Sequence, residues 1–321
     1  MGICRFFFQV ACYLRGNPEQ FTQATLETIC RQYQPYAYIG SRKQLVNFIL
    51  SQSQAVGIDP AQWFSTGNWQ KDSGAFPDFV FACEAHNPFG NGVLLELKDS
   101  AGAQIASFNS TLPSAQKKIS HLTKMVKNAV QYYDSQYGCS CPDDRDCFYL
   151  IRTDKKNTEK CRFSVVQGTF FETISNRELL KSLWKKLLEQ AGVPTQQHQG
   201  ILDYLAKLER DEIAKSRVIE GAAVKPRLRI MSEVITEANP HAYKEIGERT
   251  INLILKAPSE DSNQTCKDWI IDCFYQENLA VCVLSDTLRV SNGSGCDMEC
   301  RIFSIKHELN GLHLVVQLQL G

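Results

Sequence analysis

Two carboxylates and a lysine stand out in residues 76–98, which read FPDFVFACEAHNPFGNGVLLELK. Asp78 follows Pro77 at the head of one short apolar run, and Glu96 and Lys98 close the next. Acids brought side by side can hold Mg2+, which offsets charge on an anionic phosphodiester while keeping waters that can attack it. In that chemistry Asp78 and Glu96 are the metal ligands. Lys98 holds or helps deprotonate the attacking water and stabilises the charge that develops in the transition state.

Such a site requires two paired strands. Phe79, Val80 and Phe81 form an apolar run after Pro77, and proline is acceptable at the first position of a strand. Asn87, Pro88, Gly90, Asn91 and Gly92 make a turn, and residues 93–98 form the second strand. Side chains alternate along a strand, so Leu94, Glu96 and Lys98 share one face while Val93, Leu95 and Leu97 share the other. If the two strands pair, Asp78 approaches the same patch as Glu96 and Lys98.

The segments on either side extend the candidate site. Residues 99–113 read DSAGAQIASFNSTLP and lead into a predicted helix from Ser114 to Tyr133, with Ile119, Leu122, Val126, Ala129, Val130 and Tyr133 on its apolar face. A helix N-terminus flanked by lysines can seat a phosphate, so Ser107, Asn109, Ser110, Thr111, Lys117 and Lys118 are candidate contacts to a DNA backbone. A capped helix with a solvated basic face is the plain alternative. Upstream, residues 18–33 are expected to be helical and carry Glu27, a candidate further acid whose plain reading is a solvated helix carboxylate. A second helix is expected over residues 42–54.

The whole chain sets the bounds. Its 321 residues are 43% hydrophobic and 22% charged, enough for a substantial core. Thirty-five basic and thirty-five acidic residues cancel, so any contact with nucleic acid must come from local patches. No apolar run approaches the roughly 20 residues needed to span a bilayer, and the expectation is a cytoplasmic protein of bacterial type without a membrane partner. Thirteen cysteines with no export signal suggest reduced, mostly buried thiols rather than a disulfide framework. Cys139, Cys141, Cys147 and Cys161 have the spacing C-x-C-x5-C-x13-C, which is not a standard zinc pattern, so ordinary thiols are preferred over a structural Zn2+.

Downstream, residues 147–153 and 162–167 are expected to be strands, and residues 179–190 and 199–215 helices. A strand is expected over residues 228–235 and a helix over 242–255. The short apolar runs 279–284, 301–309 and 312–320 follow, and Asn310-Gly311 signals a two-residue hairpin between the last two. Three sections suggest themselves: an N-terminal helical part (1–60), a core carrying the acids (61–195), and a C-terminal α+β part (196–321) that completes the fold. The whole chain could equally form one domain.

Pro77-Asp78, a 17-residue gap and then Glu96-Leu97-Lys98 resembles the PD-(D/E)xK nuclease superfamily. The polar connection after the second strand is similar to that of type II restriction endonucleases. The resemblance implies an α/β fold, a mixed central β-sheet flanked by helices (a restriction-endonuclease-like core), with additional C-terminal α+β elements. It also implies Mg2+-dependent, sequence-specific cleavage of double-stranded DNA by Asp78, Glu96 and Lys98, performed by a homodimer. The section from residue 196 would then serve DNA recognition or dimerisation. The alternatives are another nuclease of the superfamily, acting in repair or recombination, and a non-catalytic DNA-interaction protein.

Overall fold

The computed structural model describes residues 2–33, 37–38, 76–81, 89, 92–108, 113–122, 127, 142–172, 176–205, 232–234, 239–258, 263–284, 287–293 and 295–321. The strands are β1 (Ala37–Tyr38), β2 (Phe79–Val80), β3 (Leu94–Asp99), β4 (Ser107–Phe108), β5 (Gln116–Lys118), β6 (Asp144–Thr153), β7 (Arg162–Gln167), β8 (Ser232–Glu233), β9 (Thr250–Lys256), β10 (Ala280–Leu284), β11 (Thr287–Ser291), β12 (Asp297–His307) and β13 (Gly311–Gln319). The helices are α1 (Ile3–Gly16), α2 (Gln20–Gln23), α3 (Leu26–Gln32), α4 (Asn176–Gln190), α5 (Thr195–Leu205) and α6 (Asn263–Gln276).

The fold is mixed α/β. One sheet runs β1-β2-β3-β6-β7-β9-β13-β12-β11-β10, and β5 pairs with β6 beside that path. The pairs β3 with β6 and β7 with β9 are parallel, and the other neighbours are antiparallel. This sheet draws strands from all three sections suggested by the sequence: β1 comes from the first, β2, β3, β6 and β7 from the second, and β9 to β13 from the third.

Alternation gives the sheet two unlike faces. Val93, Leu95, Phe148, Leu150, Phe163, Val165, Ile251 and Leu253 point to a core filled by α1, α3 and α6 through residues such as Phe6, Ile29 and Phe274. Leu94, Tyr149, Ile151, Val166 and Ile254 point the other way, against Phe76, Phe108, Phe170 and Phe171 from the connections. Phe6 meets Phe81 edge to face at 5.4 Å, seating α1 against the chain just past β2.

Distant groups anchor the buried first helix. Gly2 offers α1 no side-chain cap, and Glu277 accepts instead from the N–H groups of Cys4 at 3.2 Å and Arg5 at 2.7 Å. A carboxylate there also complements the positive end of the helix dipole. A disulfide joins Cys12 of α1 to Cys296, just before β12. It corrects the expectation of reduced thiols for this pair, while Cys4, Cys147, Cys161, Cys273 and Cys300 are buried free thiols and Cys282 is exposed.

Several other expectations change. Residues 18–33 form two short helices with a break at Ala24 and Thr25, and Thr25 caps α3 by accepting from Thr28 N–H at 3.2 Å. The helix expected over residues 242–255 is instead the 3-10 turn Pro240–Ala242 followed by β9. TINLILK is buried on both faces between two strands, where an unbroken apolar run carries no period that separates strand from helix. His307 pairs with Gly311, so the last hairpin turns through the three residues 308–310, and Gly311 takes φ +72°. The helix expected at residues 42–54 lies outside the described residues.

Candidate active site

The two motif strands pair in the register that the site requires. Phe79 faces Leu95 and Val80 faces Leu94, and Asp78 N–H donates to the Leu95 carbonyl at 3.1 Å. The backbone ladder ends at the start of β2. There Asp78 Oδ2 accepts from Leu97 N–H at 2.9 Å, locking the carboxylate beside Glu96. Gly92 sets up the approach to β3 with φ +77°, and a Cβ there would lie 2.0 Å from Arg145 Nη1. Arg145 is itself buried, donating to the carbonyls of Pro142 at 2.8 Å and Gly92 at 3.3 Å.

Glu96 and Lys98 lie on the connection-covered face, opposite the helices. Lys98 Nζ donates to Glu96 Oε1 at 2.9 Å, and the two side chains are only 17% and 13% exposed, respectively. Oε2 of Glu96 is buried with no hydrogen-bond partner among the described residues. Burial first, and then the neighbouring Asp78 carboxylate, push the Glu96 carboxyl up to about 7 against the pull of Lys98 and Lys117.

The floor is aromatic. Tyr149 is the parallel-register partner of Glu96, and its ring packs on Phe108 at 5.0 Å, Phe171 at 5.5 Å and Phe76 at 6.5 Å. Burial, with Cys147 and Glu96 nearby, holds the Tyr149 hydroxyl well above its ordinary pKa, so it stays protonated. Lys98 Nζ sits 5.4 Å over the Phe108 ring and Lys117 Nζ 5.2 Å over the Phe76 ring. Below the site, Arg152 forks onto Asp99 at 2.9 and 2.8 Å and also donates to the Ala24 carbonyl, fixing the end of β3.

The predicted residues separate. Asp78, Glu96 and Lys98 come together as expected, and Lys117 faces them. The helix expected from Ser114 does not begin there: residues 116–118 form β5, with Gln116 opposite Asp146 and Lys118 opposite Asp144, and Ile119–His121 form a 3-10 turn. Lys118 therefore points away, half exposed and 3.9 Å from Asp144. Ser107 lies on β4, which pairs with β8, and Asn109, Ser110 and Thr111 lie outside the described residues. Glu27 sits in α3, on the helical face of the sheet, and its side chain is outside the described residues.

Of the four cysteines weighed for a structural Zn2+, the structure describes two. Cys147 is buried on the connection side and Cys161 on the helix side, with the sheet between them; Cys139 and Cys141 lie outside the described residues. No group of three or more metal-ligating His, Cys, Asp or Glu side chains occurs among the described residues. Asp78 and Glu96 nonetheless fit a hard cation that retains waters. They are two adjacent oxygen donors, and one buried Glu96 oxygen has no hydrogen-bond partner among the described residues.

Sequence reading missed Tyr149, Phe108 and Phe76 as the site floor. Alternation along CFYLIRT already places Cys147, Tyr149 and Ile151 on one face, but the parallel register with β3 places Tyr149 beside Glu96. Comparison of the chain with protein-family models, with curated proteins and with solved structures gives no match in any of the three. Among the described residues, no helix is long and apolar enough to cross a membrane.

Proposed function

We propose that the protein is a type II restriction endonuclease, hydrolysing phosphodiester bonds of double-stranded DNA at a specific sequence with Mg2+. The observation that carries this reading is the pairing of β2 with β3. It sets the Asp78 carboxylate beside Glu96 and Lys98 on one face and leaves Glu96 Oε2 buried without a partner among the described residues. The mixed sheet is compatible with the restriction-endonuclease-like core that the motif implies.

Asp78 and Glu96 would hold the cation. When bound, it supplies charge neutralisation at the phosphate and lowers the pKa of a coordinated water. The chain does the rest. Leu97 N–H orients the Asp78 carboxylate, and Glu96 Oε1 holds the Lys98 ammonium where it can fix an attacking water and meet the developing negative charge. The aromatic floor of Phe76, Phe108 and Tyr149 limits water beneath the carboxylates, which strengthens these interactions. In this reading the protein works as a cytoplasmic homodimer.

Incubation of the purified protein with plasmid or phage DNA and Mg2+ tests the proposal. Discrete bands are expected. A smear, or cutting only of branched substrates, would move the reading to another nuclease of the same chemistry, and intact DNA would refute it.

A further inference from the structure

We infer that Lys117 is a further catalytic residue of this site, a second ammonium group that contacts the phosphate undergoing attack. The inference rests on the nuclease reading. It starts from β5, whose pairing with β6 is antiparallel, with Lys117 opposite Arg145. Alternation turns Gln116 and Lys118 outward, where they meet Asp146 at 2.9 Å and Asp144 at 3.9 Å, and turns Lys117 inward.

The two lysines are seated alike. Lys98 lies over Phe108 and Lys117 over Phe76, both rings rest on Tyr149, and Tyr149 is the cross-strand neighbour of Glu96. Lys117 also lies within electrostatic reach of Glu96. The position of β5 is fixed by backbone rather than by chance packing. Cys147 N–H donates to the Ala115 carbonyl at 2.8 Å, and Gly168 lies so close that a Cβ there would be 2.0 Å from the Ser114 carbonyl oxygen.

Charge balance gives Lys117 a role that Lys98 alone does not fill. With a divalent cation held by Asp78 and Glu96, both acids would be ionised, and their two negative charges against the two positive charges of Lys98 and Lys117 and the two of the cation would leave the site with two positive charges. A phosphodiester brings one negative charge. In hydrolysis, water oxygen forms a bond to phosphorus and gives up a proton, while the bond from phosphorus to the leaving sugar oxygen breaks, its electron pair and a proton ending on that oxygen. At the transition state the reacting group is dianionic, so the second lysine is matched only there and should act on the chemical step more than on binding.

The test uses a duplex that the wild-type protein cuts. Single-turnover cleavage is measured with Mg2+ and binding with Ca2+, for wild type, Lys117→Met, Lys117→Arg and, as a control on the exposed face of α4, Lys185→Met. The expected result is a loss of about 100-fold or more in the cleavage step for Lys117→Met. Its Ca2+-supported affinity should stay within about threefold of wild type, Lys117→Arg should recover part of the rate, and Lys185→Met should match wild type. If Lys117→Met melts early, Lys117→Gln takes its place. Wild-type cleavage rates in the Lys117 variants, or rate and affinity falling together, would overturn the inference and leave the nuclease reading intact. Failure of the wild type to cut any DNA would overturn both.

Discussion

Asp78 and Leu97 are joined across the β2–β3 hairpin by a 2.9 Å hydrogen bond from the Leu97 N–H to the Asp78 carboxylate. Leu97 lies between Glu96 and Lys98, so one side chain both ends the ladder and aligns the three candidate catalytic residues. Structure and chemistry can be separated here. Asp78→Asn keeps an acceptor and should fold like wild type, whereas Asp78→Ala should lose about 1 kcal/mol as well. Both should lose DNA cleavage, and thermal melts beside cleavage assays make the comparison.

Glu96 should cost stability at neutral pH. Its folded carboxyl is pushed up to about 7 from 4.5, so the folded state holds the proton more tightly than the unfolded one. The associated stability is present below about pH 4.5 and is lost as pH rises through about 7. Glu96→Gln should therefore raise the melting temperature above pH 7 and bring no gain below pH 4.5. The lost hydrogen bond to Lys98 makes about 3 kcal/mol an upper bound on the effect. Mg2+ should stabilise wild type at pH 8 and leave Glu96→Gln unchanged. Equal pH dependence of the two melts would contradict the assignment.

His241 should act with the opposite sign. It is buried between the hydroxyls of Thr153 at 2.8 Å and Ser164 at 2.7 Å, and burial pushes it down to about 3 from 6.5. A histidine kept neutral contributes stability above pH 6.5 that is lost as pH falls toward 3. His241→Gln should destabilise by about 1–3 kcal/mol at pH 7.5, because buried hydroxyls lose a partner. The difference from wild type should shrink by pH 4. A gap that widens on acidification would refute this account.

Gly92→Ala tests the approach to β3, which carries the candidate catalytic residues Glu96 and Lys98. Its φ of +77° costs an alanine about 1–2 kcal/mol. The added Cβ must also displace Arg145, so the loss should exceed that figure and cleavage should fall with it. Chemical denaturation measures the first and a DNA cleavage assay the second.

How much was legible in the sequence follows from the range of each interaction. Period-two alternation sufficed to put Glu96 and Lys98 on one face and Leu95 and Leu97 on the other, because these relations are local, whereas Asp78 joins them only through the pairing of β2 with β3. Lys117 was expected at a helix N-terminus as a contact to the DNA backbone and lies instead on β5. Ile119, Leu122 and Val126 carry a helical spacing, but residues 116–118 are claimed by the edge of β6. β9 was read as a helix because burial on both faces erases the polar alternation. The bond between Cys12 and Cys296, 284 residues apart, and the capping of α1 by Glu277 depend on contacts that no local pattern encodes.

The most direct measurement of the central claim is cleavage of one DNA substrate by wild type, Asp78→Ala and Lys98→Ala, each with Mg2+ and with EDTA, on proteins shown to be folded. Wild type with Mg2+ should give discrete fragments, and EDTA or either substitution should leave the DNA whole. Fragments of the same size from Lys98→Ala or Asp78→Ala at the wild-type rate would contradict the account.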